Sequence, residues 1–105
     1  MKEVTAIELK KMKDDGINFQ LIDVREDYEY DIANLSGELI PMGELMNNID
    51  KIAKDKDVVV HCRSGARSAT AINQLEKMHG FTNLYNLKGG ILAYAKEVDS
   101  SLATY

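Results

Sequence analysis

The chain has 105 residues, and its 17 acidic and 13 basic side chains give it a formal net charge of −4 at pH 7. This length suits a globular protein with one hydrophobic core, so we expect a single domain over residues 1–105. The acidic balance argues against nucleic acid as a partner, because binding to phosphates needs a basic surface.

Composition also limits the expected location and cofactors. No stretch approaches the ~18 apolar residues of a membrane-spanning helix, and the segment from Met1 to Thr5 lacks the apolar core of a secretory signal. We therefore expect a cytoplasmic protein that contacts no membrane. The one cysteine, Cys62, excludes an intramolecular disulfide, and with only two scattered histidines it makes no recognisable metal site. We predict no metal, no cofactor and a monomer.

The first predicted element is a helix that begins after Thr5. Thr5 and Glu8 have the spacing of a capping box, in which each side chain accepts a hydrogen bond from the other residue's backbone N–H. Gly16 is expected to end this helix. Its apolar positions are Ile7, Leu9 and Met12.

Four more elements are predicted in the first half of the chain. The apolar segment 19–24 predicts a strand, and the charged segment 25–31 predicts a short helix. Segment 38–40 is typical of a short strand that Pro41 stops. Segment 43–54 predicts a helix, because its apolar residues recur at roughly helical spacing. These residues are Leu45, Met46, Ile49 and Ile52.

Two strands and two helices are predicted in the second half. The β-branched run from Val58 to Val60 is typical of a strand that is buried on both faces of a parallel sheet. Ser68 is expected to cap the next helix, which Gly80 closes. A strand around 84–85 and a helix over 91–98 follow. The apolar face of the first helix consists of Ala71, Ile72, Leu75 and Met78.

The alternation of strands and helices predicts an α/β fold with a mainly parallel central sheet of about five strands and helices on both faces. In such folds, sites form at the carboxyl ends of strands, and Cys62 lies between a strand end and a helix N-terminus. The free N–H groups of the helix and the charges of Arg63 and Arg67 favour the nucleophilic thiolate. His61 is expected to face away from the site, since strand neighbours point to opposite faces, and His79 is assigned no chemistry.

Three segments carry a family resemblance. Cys-Arg-Ser-Gly-Ala-Arg-Ser over 62–68 resembles the active-site loop of the rhodanese (sulfurtransferase) family, Cys-x-x-Gly-x-Arg-Ser. Leu-Ile-Asp-Val-Arg-Glu over 21–26 and Leu-Lys-Gly-Gly-Ile-Leu-Ala-Tyr over 87–94 resemble two further elements in the family's order. Segment 31–41 departs from the family pattern except at its final Ile-Pro, and Tyr94 stands where the family usually has Trp. The chain is identified as a rhodanese-like protein.

The resemblance implies a two-step transfer of sulfur. A donor such as thiosulfate would pass its outer sulfur to Cys62, and a thiol, cyanide or a sulfur-accepting protein would remove it from the resulting persulfide. The backbone N–H groups from Arg63 to Ser68, including that of Ala66, would form a concavity for an anion. Gly65 would allow its tight curve.

Side chains around the loop have expected roles. Arg63 would contact an anionic donor, and Arg67 would either lower the pKa of the thiol or anchor the loop to an acid. Ser64 and Ser68 would donate hydrogen bonds to the persulfide. The resemblance further implies that Asp23 and Arg25 brace the strand end beside the loop. The other residues of this region are expected to pack (Tyr28, Tyr30) or to form a solvated acidic face (Glu26, Asp27, Glu29, Asp31).

Two other functions fit parts of the pattern. Cysteine phosphatases and arsenate reductases use a similar loop, His-Cys-x-x-Gly-x-x-Arg-Ser/Thr, in which the arginine lies one residue further on, where this chain has Ser68. The shorter loop favours a sulfur atom over a phosphoryl group. A non-catalytic interaction module is the other alternative, and the intact Cys62 argues against it.

Overall fold

Five parallel strands form the centre of the computed structural model, which describes residues 1–105. Their order across the sheet is β1-β5-β4-β2-β3, so β4 lies in the middle, and all four of its residues are buried. This confirms the predicted fold class. The strands are β1 (Glu3–Val4), β2 (Gln20–Asp23), β3 (Glu38–Leu39), β4 (Val58–His61) and β5 (Leu84–Leu87).

Each strand but the short β1 was predicted within a few residues of its observed bounds. Strand β1 escaped prediction because a segment of two residues carries no periodic pattern.

Four α-helices accompany the sheet. They are α1 (Ala6–Asp14), α2 (Asp27–Ile32), α3 (Ala66–His79) and α4 (Gly90–Glu97).

Apolar side chains form a core on each face of the sheet, as successive residues of β4 illustrate. Val58 and Val60 join one cluster, whereas Val59 joins the other, because neighbours on a strand point to opposite faces. Burial of each such side chain stabilises the fold by roughly 1.5–3 kcal/mol. Helix α3 contributes to the first cluster, and α1 and α4 contribute to the second. Helices therefore cover both faces of the sheet, as predicted.

The capping box at the start of α1 is present. The Thr5 backbone N–H donates to the Glu8 carboxylate at 2.8 Å, and the Glu8 N–H donates to the Thr5 hydroxyl at 3.1 Å. The expected apolar face is partly wrong: Leu9 is buried, but Ile7 is 63% exposed, since the buried stripe runs through Ala6 and Leu9. Met78 in α3 is exposed as well, because the buried part of that helix ends at Leu75.

The predicted helix over 43–54 is wrong. Two short 3-10 segments, Met42–Asn47 and Ile49–Lys51, occupy this region. Asn48 lies between them with a φ of −129°, and its side chain donates to the Glu44 carbonyl at 2.7 Å. Asparagine side chains compete in this way with the backbone bonds that would continue an α-helix. The apolar spacing nevertheless buries Leu45 and Ile52.

Candidate active site

The Cys62 thiol lies directly after β4, inside the turn that leads into α3. Its Sγ accepts a hydrogen bond from the Gly65 N–H at 3.1 Å, and the N–H and Oγ of Ser68 each lie 3.4 Å from it. The side chain is only 1% exposed. The sulfur thus sits at the bottom of a cradle whose N–H groups point towards it, as an anion requires.

The pKa of the Cys62 thiol is lowered by this cradle. Burial acts in the opposite direction and raises the pKa, but the hydrogen bonds from Ser68 and from the backbone N–H groups of Gly65 and Ser64 outweigh it. The hydrogen bonds of the loop, which lie closest to the sulfur, are the main groups that lower this pKa. The charge of Arg67 acts in the same direction as expected, since the Arg67 and Cys62 charges stabilise each other.

Gly65, not Ser68, is the N-cap residue of α3, which begins at Ala66. Its φ of +102° lies in the left-handed region, which glycine adopts without steric cost, so the loop turns sharply into the helix here. The prediction that Ser68 caps α3 is wrong, since Ser68 is the third residue of the helix and is fully buried. Its side chain contacts the thiol instead of a helix end.

Asn86 on β5 was not among the predicted site residues. Its Nδ2 donates to the Gly65 carbonyl at 3.1 Å, and its Oδ1 lies 2.6 Å from Ser68 Oγ. The Ser68 hydroxyl has one proton and three acceptors within reach, which are Asn86 Oδ1, the Gly65 carbonyl and Cys62 Sγ. The signal in the sequence that could have identified Asn86 is its polar side chain inside a buried strand, since buried polar groups need hydrogen-bond partners.

Replacement of Ser68 by alanine is expected to raise the pH midpoint of Cys62 alkylation. The thiolate is the reactive form, so reactivity is present above the midpoint and is lost as the pH falls through it. The native midpoint should lie below that of a free thiol, and loss of the Ser68 hydroxyl should move it upwards. Iodoacetamide rates measured across the neutral and alkaline range check this, with Thr70→Ala on the exposed face of α3 as the control. An unchanged midpoint would show that the hydroxyl does not favour the thiolate.

Arg67 holds the loop to α2 through Glu29. The guanidinium donates from Nη1 to Glu29 Oε1 at 2.7 Å and from Nη2 to Oε2 at 2.9 Å, which is a bidentate pair. Of the two roles expected for Arg67, this contact corresponds to the one in which it anchors the loop to an acid. Glu29 is only 3% exposed, so its predicted place on a solvated face is wrong, whereas Glu26, Asp27 and Asp31 are exposed.

The charge of Glu29 is strongly favoured in the folded protein. The hydrogen bonds from Arg67 lower the pKa of Glu29 to about 2, although burial acts to raise it. A carboxyl whose pKa falls on folding stabilises the fold above its unfolded pKa, and that contribution disappears as the pH falls towards the folded value. The bond between loop and α2 therefore persists through the mildly acidic range and is lost only as the pH falls towards about 2.

Asp23 and Arg25 form a fully buried ion pair beside the loop. Arg25 Nη2 donates to Asp23 Oδ2 at 2.8 Å, and Nε donates to Oδ1 at 3.0 Å. The same guanidinium donates to the Ala33 carbonyl at 2.7 Å. The pair thus ties the end of β2 to the segment after α2, in the place where the family resemblance implied a brace.

His61 is buried and neutral. Burial lowers its pKa to about 4, although the nearby Asp23 carboxylate acts to raise it. Nδ1 lies 3.4 Å from the Cys62 carbonyl, and Nε2 lies 3.6 Å from Asp23 Oδ2 without a hydrogen bond. The ring makes no hydrogen bond to the sulfur, which agrees with a structural role rather than that of a general base.

Arg63 and Tyr105 lie at the open side of the loop, which is called the loop mouth below. Arg63 was predicted as a site residue, whereas Tyr105, like Asn86, was not. The Arg63 guanidinium carbon lies 5.0 Å from the centre of the Tyr105 ring. No motif in the sequence marks Tyr105, because its contacts join residues that are far apart in the chain.

The remaining predicted residues of the loop are exposed. The side chain of Ser64 is exposed, so only its backbone N–H contributes to the cradle, and Ala66 is exposed at the first turn of α3. Of the two other tyrosines considered, Tyr30 is half-buried, and Tyr28 is 65% exposed rather than packed.

Helix α4 begins directly against the loop. The N–H groups of Ile91 and Leu92 donate to the carbonyls of Cys62 and Arg63 at 3.0 and 3.1 Å. Gly90 has a φ of +62°, and a Cβ there would lie 2.6 Å from the Cys62 carbonyl oxygen and still closer to that of Arg63. Only glycine permits this approach, which explains the glycine at position 90, the first residue of α4.

Replacement of Gly90 by alanine is expected to lower the free energy of unfolding by more than about 2 kcal/mol. The left-handed conformation alone costs a side chain about 1–2 kcal/mol, and the backbone atoms that the Cβ would meet cannot rotate away. Urea unfolding measures the loss. The control is Gly43→Ala, since that glycine has no positive φ and open space around its Cβ position. Equal stability of both variants would contradict the close packing of α4 on the loop.

Most of this chain, including the loop just described, matches a known protein-family model. The family model described as Rhodanese-like domain matches residues 5–97. The chain belongs to the rhodanese-like domain family. The match includes Cys62 and all of the surrounding loop, and it confirms the family that the three sequence segments indicated.

Relatives of this rhodanese-like domain include named sulfurtransferases. The probable adenylyltransferase/sulfurtransferase MoeZ of Mycobacterium tuberculosis is 38% identical over 106 residues, which cover 97% of this chain and 26% of MoeZ. A protein of Allochromatium vinosum named sulfurtransferase is 34% identical over 97 residues, which cover 91% of this chain and 90% of that protein. This chain therefore spans about a quarter of MoeZ but nearly the whole of the second relative.

A solved structure shares the fold over its full length. The crystal structure of a rhodanese-like domain protein from Staphylococcus aureus has a TM-score of 0.83 and 29% identity, covering 100% of this chain and 99% of that one. The likeness supports the assignment of the chain to the family.

Other features lie apart from this rhodanese-like loop. The largest surface cleft, about 630 Å³, is lined by residues near the amino ends of β2 and β4, among them Gln20 and Asp55. It is therefore at the opposite end of the sheet from Cys62. No helix has the length and apolarity to cross a membrane. No three side chains of the kinds His, Cys, Asp and Glu are grouped to hold a metal ion.

Proposed function

We propose that this rhodanese-like domain is a sulfurtransferase that carries sulfane sulfur on Cys62. The observation that supports the proposal most strongly is the cradle of N–H and O–H donors around a thiol whose pKa they lower. A thiolate is the form that attacks sulfur, and the same donors suit the negative charge of a persulfide.

The first half-reaction forms the persulfide. The Cys62 thiolate attacks the outer sulfur of thiosulfate, a new S–S bond forms, and the S–S bond of thiosulfate breaks so that sulfite leaves with the electron pair. The negative charge on the enzyme moves from Sγ to the added sulfur. The backbone N–H groups of Gly65 and Ser68 are directed towards this region and would stabilise that charge.

The second half-reaction returns the thiolate. A nucleophile such as cyanide or a thiolate attacks the outer sulfur of the persulfide, the enzyme's S–S bond breaks, and Sγ leaves with the electron pair. Because the chain holds no second cysteine, the acceptor must be another molecule. In a cell, we propose a small thiol or a sulfur-accepting protein as that acceptor.

Arg63 is the residue we assign to the anionic donor. Its side chain forms no salt bridge, and its Nε is buried without a hydrogen-bond partner. Because no carboxylate pairs with the guanidinium, its terminal nitrogens would donate to an oxygen of thiosulfate while the outer sulfur approaches Cys62.

A phosphatase or arsenate reductase remains the alternative enzyme, and Arg67 argues against it. The loop arginine of such an enzyme would have to bind the oxyanion. Here both terminal nitrogens of Arg67 donate to the Glu29 carboxylate. The intact Cys62 and its lowered pKa likewise favour catalysis over a purely binding role.

A turnover assay with matched substrates tests the proposal. We expect thiocyanate to form from thiosulfate and cyanide, with kinetics that indicate a covalent intermediate, and no release of phosphate from an aryl phosphate. Turnover of the aryl phosphate without thiocyanate formation would instead establish the oxyanion chemistry. The cytoplasmic location, the single-domain extent and the monomeric state stay predictions.

A further inference from the structure

Tyr105 adds a link between two groups of paired side chains beside the reaction loop, in addition to the bond from Arg25 to the Glu29 backbone carbonyl. Its hydroxyl accepts a hydrogen bond from Arg25 Nη1 at 2.7 Å and donates to Glu29 Oε2 at 2.8 Å. Both oxygens of the same carboxylate accept from Arg67, which lies in the loop's own helix. One side chain thus contacts both the buried Asp23–Arg25 pair and the bond between loop and α2.

The ring of Tyr105 contacts Arg63, the arginine of the loop that takes no part in these hydrogen bonds. The guanidinium carbon of Arg63 lies 5.0 Å from the ring centre, within the range of a cation–π contact. Arg63 forms no salt bridge, and its Nε has no hydrogen-bond partner. The contact with the ring is therefore the specific interaction that this guanidinium makes next to Cys62, in the absence of an ion pair.

The segment after α4 returns to the loop and is held there. Helix α4 starts against the loop and, with eight residues, carries the chain about 12 Å away. Residues 98–105 then reverse direction, with Leu102 packed against the second core cluster. The Tyr105 contacts with Arg25 and Glu29 span 80 and 76 positions, so they depend on this return of the chain.

We propose that Tyr105 is a positioning residue that fixes the Arg63 guanidinium at the loop mouth and so sets the preference of Cys62 for anionic substrates. The hydroxyl, bonded to Arg25 and Glu29, holds the ring in place, and the ring holds Arg63. The consequence for a sulfur donor rests on the proposed function, since an anion such as thiosulfate would be the species that gains from a fixed cation.

Alkylation of Cys62 by a charged and a neutral reagent tests this without any sulfur transfer. The quantity measured is the ratio of the iodoacetate rate to the iodoacetamide rate, at low ionic strength so that charges are little screened. Tyr105→Leu is expected to lower the ratio by about threefold, as loss of a cation–π contact implies. Tyr105→Phe keeps the ring but loses the two hydrogen bonds that hold it, so the ratio should fall by a smaller factor than in Tyr105→Leu, about twofold. Tyr28→Leu is the control, because Tyr28 is 65% exposed and forms no hydrogen bond.

A second comparison shows whether the ring acts through Arg63. In an Arg63→Gln background, Tyr105→Leu should leave the ratio unchanged, since the cation that the ring positions is gone. A purely structural role would instead speed or slow both reagents equally in either background. A lower melting temperature with an unchanged ratio is that result, and it would overturn the proposal.

Three other results would also overturn it. These are an equal fall in the ratio for Tyr105→Leu and Tyr28→Leu, a further fall when Tyr105→Leu is added to Arg63→Gln, and a native Cys62 that reacts with neither reagent. If instead the ratio behaves as expected but no thiocyanate forms, the proposed function fails while the positioning role of Tyr105 stands.

Discussion

Cys62→Ser is expected to reduce thiocyanate formation by more than about 1,000-fold, because a serine hydroxyl is not ionised near neutral pH and forms no persulfide. The same variant should keep its melting temperature close to that of the native protein. Oxygen and sulfur differ little in volume, and the N–H groups of Gly65 and Ser68 that face Sγ can donate to a hydroxyl oxygen as well.

The turnover assay and a thermal melt of Cys62→Ser separate catalysis from folding. Thr70→Ala is a suitable control, since Thr70 is exposed on the same helix. If the serine variant turned over thiosulfate at a rate near that of the native protein, covalent transfer through Cys62 would be wrong. If it lost its fold as well as its activity, the thiol would have a structural role that the packing does not indicate.

Replacement of Asp23 by asparagine is expected to lower the free energy of unfolding by about 3–5 kcal/mol, since it leaves the buried Arg25 charge without its counter-ion. Both side chains are fully buried, so water cannot solvate the guanidinium that remains. Arg25 keeps its bonds to the Ala33 carbonyl and to Tyr105, but neither partner carries a full negative charge. A domain of ordinary stability, about 5–15 kcal/mol, would become marginal.

Urea unfolding of Asp23→Asn measures that loss against a matched control. Asp31→Asn makes the same chemical change at an exposed acid without an ion pair, and it should alter stability by less than about 0.5 kcal/mol. A loss of similar size in both variants would mean that the Asp23–Arg25 pair does not brace the end of β2.

Sequence patterns were most informative where local spacing decides the structure. The capping box at Thr5 and Glu8 and the buried run of β4 each act within a few residues, and each appears in the structure as expected. The helix expected over 43–54 failed because asparagine side chains compete with the backbone there, an effect that apolar spacing does not report.

The parts of the site that escaped prediction depend on contacts across the fold. Glu29 looked like one of several exposed acids until the fold placed it opposite Arg67. Asn86 and Tyr105 reach the loop from β5 and from the segment after α4, and no sequence spacing relates them to Cys62. The lowered thiol pKa was expected in part, because the N–H groups at the start of the helix follow from the position of Cys62 in the sequence, whereas the hydrogen bond from the buried Ser68 side chain depends on the folded loop.

Intact-mass spectrometry after incubation with thiosulfate tests sulfur transfer through Cys62 most directly. We expect the mass to rise by one sulfur atom, the added sulfur to map to Cys62, and cyanide to remove it with release of thiocyanate. Absence of the added sulfur in the native protein, or its equal presence in Cys62→Ser, would contradict the account.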